Sequence, residues 1–280
     1  MCWRLKDIKM QLPNINKKRI TELLKEGKRL DGRKEFEFRD VEIETEISNE
    51  AEGSSRVRIG KTEVIAGIKM DVQEPYPDHD DEGTMAVGME FNPICGERYD
   101  SGPPRIDAIE VARVVDRGIR ESEFIDFKKL CIEEGEKVWC VNIDIYCIND
   151  DGNVLDAAAL ASVAALRVSK IPVYDKKEEA VKYGELSKDK LPLTENIPLS
   201  VTFYKIGEKV LVDSNRDEED AAEARLTIAV SAPKKEKILN AMQKGGIASF
   251  SEEELNEIIS ECEKVYDKIF PEIEKMVKEK

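Results

Sequence analysis

Arg113, Arg117 and Arg120 fall within about 60° of one another if the segment around them is helical. Ala112, Val115 and Ile119 take the opposite side of that helix. Such a helix packs by its apolar face and turns three guanidiniums outward. The planar guanidinium fork matches phosphate oxygens, so the chemistry on offer is anion recognition. The competing outcome is a solvated face laced by local ion pairs to Glu110, Asp116 and Glu121, a common fate for charges spaced this way.

Other clusters offer less. Asp213, Asp217, Glu218, Glu219 and Asp220 could supply paired carboxylates for metal-assisted hydrolysis, or form a charged loop between strands. Asp78-His79-Asp80-Asp81-Glu82 lacks the alternating ligands and central glycine of a calcium loop, and reads as an acidic surface loop. His79 is the only histidine. Zinc motifs with two histidines are excluded, and a Ser-His-Asp triad would have to use that residue. Gly60-Lys61-Thr62 ends like a phosphate-binding P-loop, but Ser55 stands where its first glycine belongs and strand alternation resumes at once. A hairpin turn is expected there instead. Six cysteines, at 2, 95, 131, 140, 147 and 262, make no C-x-x-C pair. Cys140 and Cys147 lie in an apolar run and read as core residues in a reducing, cytosolic setting.

The elements that must position these groups follow from periodicity. Residues 14–29 form a short helix with Ile15, Ile20, Leu23 and Leu24 on one side, ending at the turn signal Arg29-Leu30-Asp31-Gly32-Arg33. Val41 to Ile47 alternates as a strand with one wet face, and the Gly60-Lys61 hairpin joins two more. Met85–Phe91 is a strand, 92–104 a loop, and 106–122 the arginine helix. Val138–Ile148 is a long strand, and Leu155–Val168 an Ala-rich helix buried between layers. Residues 172–198 read as strand-poor connections. Short strands follow at 201–204, 210–212 and 226–230. A last helix starts at the capping box Ser251-x-x-Glu254 and meets Pro271. The order of elements implies an α+β fold with mixed sheets.

The chain of 280 residues can bury a large core. Charged residues reach 37%, rich in Glu and Lys, and the net charge is −15. That charge is local. Residues 71–82, 217–223 and 251–280 carry essentially all of it, which leaves room for a basic path elsewhere. No apolar stretch is long enough for a membrane span. The first ten residues, MCWRLKDIKM, are too polar for a signal peptide, and Met10 is a candidate natural start.

Several of these segments together resemble the RNase PH family, specifically the non-catalytic ring subunit of the archaeal exosome. They are Arg29-Leu30-Asp31-Gly32-Arg33, GSSRVRIGKTEVIAGIK at 53–69, IEVARVVDRGIRES at 109–122 and NDDGNVLDAAALASVAAL at 149–166. The resemblance runs from about residue 15 to 275. It implies an RNase PH-like fold of two similar βα halves with mixed sheets and a C-terminal helix. An N-terminal helical extension would cover 1–30, the first half 31–170 and the second half 171–280.

The resemblance also implies a hexameric ring of three heterodimers in the cytoplasm. RNA threads through it and is shortened from its 3′ end by phosphorolysis. Two departures from the catalytic paralogue stand out. Asn153-Val154-Leu155 occupies the place of its phosphate-binding turn, where Val154 and Leu155 offer no charge or hydroxyl, and Arg225 occupies that of its catalytic aspartate. Neither substitution can do the chemistry it replaces. The implied role is non-catalytic. Arg113, Arg117 and Arg120 hold single-stranded RNA beside the active site of the catalytic paralogue, which binds inorganic phosphate. This chain needs no cofactor or metal of its own, and RNA-binding cap proteins complete the assembly. The alternatives are a self-sufficient metal-dependent nuclease using the 213–223 carboxylates, and a purely structural ring component.

Overall fold

A computed structural model describes residues 14–175, 177–233 and 236–278. The readings of the first ten residues, of Met10 and of Cys2 lie outside the described residues, as does the whole segment before α1.

Helix α1 (Asn14–Lys25) buries Ile20 and Leu24 against Ile206, Leu211 and Ala221. Ile15 stands 78% exposed, because at about 100° per residue it lies well round the helix from Ile20 and Leu24.

Strands β1 (Val41–Thr45), β2 (Gly53–Ile59), β3 (Thr62–Gln73), β4 (Thr84–Phe91), β5 (Cys131–Glu133) and β6 (Lys137–Asn149) build one sheet. Its order is β1-β2-β3-β6-β4, with β5 beside β6. All pairings are antiparallel except β4 with β6. Gly60, at φ +57°, turns β2 into β3, with Ile59 opposite Thr62. The Gly-Lys-Thr segment is therefore a hairpin turn. Alternate residues of β2 and β3 (Val57, Ile59, Val64, Ala66, Ile68, Met70) point to the core. Each large one contributes roughly 1.5–3 kcal/mol by leaving water.

Helix α2 (Ile106–Glu121) packs on β4, and α3 (Val154–Val168) on β2 and β3. A second sheet closes over them in the order β10-β9-β11-β12. Its strands are β9 (Leu199–Ile206), β10 (Lys209–Val212), β11 (Ala224–Ser231) and β12 (Ile238–Gly246). Both α2 and α3 touch this sheet as well as the first. Residues 154–166 of α3 are all buried. Its alanines let the layers approach closely, so that Ser55 Oγ donates to the Ala161 carbonyl at 2.7 Å.

Helix α5 (Glu252–Lys278) covers the outside and runs through Pro271. Its start is the expected box, with Glu254 N donating to Ser251 Oγ and Ser251 N to Glu254 Oε2. None of the helices among the described residues is long and apolar enough to cross a membrane.

Two expectations need correction, and one strand adds to them. Residues 172–198 are not strand-poor. Strands β7 (Lys170–Asp175) and β8 (Ala180–Lys190) form an antiparallel hairpin there, mostly exposed, so neither shows an apolar alternation. β12 is a half-exposed edge strand, and its sequence shows no apolar alternation. The acidic 217–223 segment is not a plain loop: Arg216–Ala221 is a short helix, α4, capped by Asn215 and Glu218.

Candidate nucleic-acid interface

The apolar stripe of α2 fixes where its arginines point. Ala108, Val111, Ala112, Val114, Val115, Gly118 and Ile119 are buried. At Gly118 the helix lies flush on the second sheet: a Cβ added there would sit 3.4 Å from that of Ala229. Arg113, Arg117 and Arg120 therefore all emerge on the exposed side.

The three are not equivalent. Arg120 is bound by Asp116 one turn back at 2.7 Å, and its guanidinium lies over the Phe127 ring at 5.9 Å. Arg120 thus carries a local ion pair of the kind its spacing allows. Among the described residues, Arg113 and Arg117 have no hydrogen-bond or ion-pair partner. Both line a shallow cavity of about 380 Å³ with Val87 and Met89 of β4, Pro104 and Ile109. β4 is an edge strand of its sheet, so the cavity opens along a strand paired on one side only. Glu110, which could have competed for Arg113, is instead engaged by Arg225 of β11 at 2.8 Å.

A second polar region surrounds the start of α3. Asn153 caps the helix in the left-handed region at φ +58°, a conformation asparagine tolerates well. Its backbone N–H donates to Glu219 Oε1 at 2.7 Å. Tyr204 Oη donates to the same oxygen at 2.5 Å, and Arg216 pairs with Glu219 at 2.9 Å. Burial raises the Glu219 pKa, while Arg216 opposes that rise. A helix N-terminus attracts anions, and here the anion is the chain's own carboxylate. Val154 and Leu155 in the first turn are buried and apolar.

The neighbouring acids are likewise matched to arginines. Asp213 accepts from Arg33 and Arg39 at 2.8 Å and from Asn153 Nδ2 at 2.8 Å. Burial would raise its pKa, but the hydrogen bonds and charge of Arg39, reinforced by Arg33, hold it below the ordinary range. Glu218 receives a two-pronged contact from Arg29, and Asp220 one from Arg98. Asp217 faces solvent. No group of three or more His, Cys, Asp or Glu among the described residues is placed to hold a metal. His79 sits on an exposed loop near Glu82.

Periodicity located the arginine face but not which guanidiniums stay free. It also missed Glu219 as an internal anion. The one available signal was the Asn215-x-x-Glu218 capping box, which would have placed α4 and thus turned Glu219 inward.

Comparison with known proteins agrees with this architecture. Residues 37–172 match the RNase PH model described as 3′ exoribonuclease family, domain 1, and residues 196–261 match domain 2. The protein named exosome complex component Rrp42 from Methanocella arvoryzae is 43% identical over 248 residues, covering 89% of this chain and 91% of the relative. Its namesake from Thermococcus gammatolerans is 44% identical over 262 residues, covering 92% and 93%. A chain of the solved Archaeoglobus fulgidus exosome with RNA bound to the active site superposes with a TM-score of 0.81. It is 41% identical and covers 91% of this chain and 98% of that one. Two matched domains spanning most of the polypeptide, on a fold whose α2 and α3 lie between two sheets, show that the chain belongs to the RNase PH, or 3′ exoribonuclease, family.

Proposed function

We propose that this chain is a non-catalytic exosome subunit. It positions single-stranded RNA for phosphorolysis by a catalytic RNase PH-like paralogue, in a cytoplasmic ring of three heterodimers that also carries RNA-binding cap proteins. The observation that carries the reading is the contrast between two sites. Arg113 and Arg117 are exposed and have no hydrogen-bond or ion-pair partner among the described residues. The start of α3 is filled by Glu219 and walled by Val154 and Leu155. The first arrangement can hold an RNA phosphate, whereas in the second Val154 and Leu155 offer no group to inorganic phosphate and Glu219 takes the Asn153 N–H.

In phosphorolysis a phosphate oxygen attacks the last phosphodiester of the RNA and releases a nucleoside diphosphate. The contribution of this chain is geometric. Arg113 and Arg117 would neutralise backbone phosphates without reading bases, and so hold the strand in register with the partner's reaction centre. Holding a reactant in place can remove several kcal/mol of barrier. Arg225 supports the same division of labour, since a cation tied to Glu110 cannot act as a general acid or bind a metal. A metal-dependent nuclease built on the 213–223 carboxylates is disfavoured, because Asp213, Glu218, Glu219 and Asp220 are all neutralised by arginines.

The test is RNA shortening with and without inorganic phosphate, by the chain alone and after mixing with the catalytic paralogue. The expected outcome is no phosphate-dependent shortening alone and processive shortening in the mixture. Phosphorolysis by the pure chain would refute the proposal. Magnesium-dependent cleavage without phosphate would revive the metal nuclease.

A further inference from the structure

The outward stripe of α2 carries an acid as well as its arginines. Glu110, Arg113 and Arg117 follow one another at spacings of three and four, so all three lie along one side of the helix. A carboxylate three residues before an arginine is within reach of an ion pair with it. The Glu110 side chain is 41% exposed, so its own packing does not keep it from Arg113. Yet it turns the other way. Arg225 Nη2, from the start of β11, donates to Glu110 Oε1 at 2.8 Å. Asp116, the acid three residues after Arg113, accepts from Arg120 with both oxygens.

The second sheet is shaped to deliver the Arg225 guanidinium. Arg225 stands between Tyr204 of β9 and Gly245 of β12, on the same face of β11 as Thr227 and Ala229. Those two line a crevice with Val114 and Arg117, so this face lies under α2. Gly245 leaves the room: a Cβ there would come within 3.2 Å of Arg225 Nη2 and 3.3 Å of its Cζ. The contact with Glu110 is a single hydrogen bond, and Arg225 Nε is buried with no hydrogen-bond partner among the described residues. Arg29 and Arg98, by contrast, grip Glu218 and Asp220 with two prongs each. A buried donor left unsatisfied makes the Arg225 contact a poor source of stability. What the contact does achieve is to hold a carboxylate off Arg113.

We propose that Arg225 is a positioning residue: by drawing Glu110 toward the second sheet it keeps Arg113 unpaired and clears the α2 stripe for RNA phosphates. The inference rests on the reading of Arg113 as an RNA contact. Without the Arg225 guanidinium, Glu110 has Arg113 as the cation three residues along its own helix. An ion pair formed there must break before a phosphate can take its place, and the freed carboxylate also repels the phosphate.

The experiment measures binding of a labelled oligoribonucleotide by the assembled ring over a salt series, with assembly checked by native mass. Arg113→Ala sets the scale, a slope of log affinity against log salt shallower by about 0.7. Arg225→Met removes the guanidinium but keeps an unbranched stem to pack in its place, and should give about half of that change or more. Adding Glu110→Gln to Arg225→Met should restore the parent slope. In the Arg113→Ala background, Arg225→Met should change nothing further. If Arg225→Met fails to assemble, Arg225→Gln makes the same comparisons. A parental slope for Arg225→Met overturns the proposal. So does a loss that Glu110→Gln does not restore, which marks a merely structural role. A loss that persists at full size in the Arg113→Ala background also overturns it, since Arg225 would then act on RNA directly. A parental slope for Arg113→Ala itself overturns the RNA reading, and the proposal with it.

Discussion

The difference between Arg120 and its two neighbours predicts an unequal response to salt. A protein contact that neutralises one phosphate of a single strand contributes about −0.7 to the slope of log affinity against log salt. Arg113 and Arg117 have no ion-pair partner among the described residues, so Arg113→Ala with Arg117→Ala should make the slope of the assembled ring shallower by about 1.4. Between roughly 50 and 200 mM salt, a fourfold change, the parent ring should lose about sevenfold more affinity than the double variant. Arg120 is already balanced by Asp116 at 2.7 Å, so Arg120→Ala should change the slope by well under 0.7. Asp116→Asn releases that guanidinium and should steepen the slope. The assay is fluorescence anisotropy of a labelled oligoribonucleotide over a salt series, with ring integrity checked by native mass. An unchanged slope in the double variant, with the ring intact, refutes the assignment. An Arg120→Ala effect as large as that of Arg113→Ala refutes the reasoning about internal pairing.

Two further outcomes concern stability. Asp213→Ala leaves Arg33 and Arg39 without the carboxylate between them, and should cost about 3–5 kcal/mol, read from the denaturant midpoint. A loss under 1 kcal/mol would show that the cluster contributes little. Asp156 is buried at the start of α3 and accepts from Thr202 N and Oγ1 at 3.0 and 2.6 Å. Burial raises its pKa from 3.8 to about 7. The unfolded chain releases this proton first, so the group should destabilise the fold progressively as pH rises from about 4 to 7. Asp213, held below its ordinary value, acts in the opposite sense: its stabilisation is present above the unfolded pKa of 3.8 and is lost as pH falls through its lower folded value. Asp156→Asn should flatten the near-neutral part of the stability curve, measured by urea unfolding at stepped pH. Identical curves for parent and variant between pH 5 and 8 would exclude Asp156 as a contributor.

The sequence was informative where one face of an element is dry. β2, β3, α2 and α3 could be read because their buried residues recur at the right period. β8 and β12 present solvent on much of both faces, and their sequences carry no such rhythm. The arginine face was legible for the same reason as its helix. The division of labour within it was not, since Asp116 could have served either neighbour. The acidic cluster misled most. Its partners Arg29, Arg33 and Arg39 lie 174–189 residues away along the chain, so nothing local distinguishes an exposed acidic run from a buried ionic lattice.

The interleaving of α3 between two sheets decides how the molecule comes apart. The helix belongs by chain order to the first matched domain, yet its other flank is roofed by the second. A fragment ending near residue 172 would present that flank, rich in alanine and leucine, to water. The two matched stretches are then modules of ancestry rather than of folding, and heat should dismantle them in a single event.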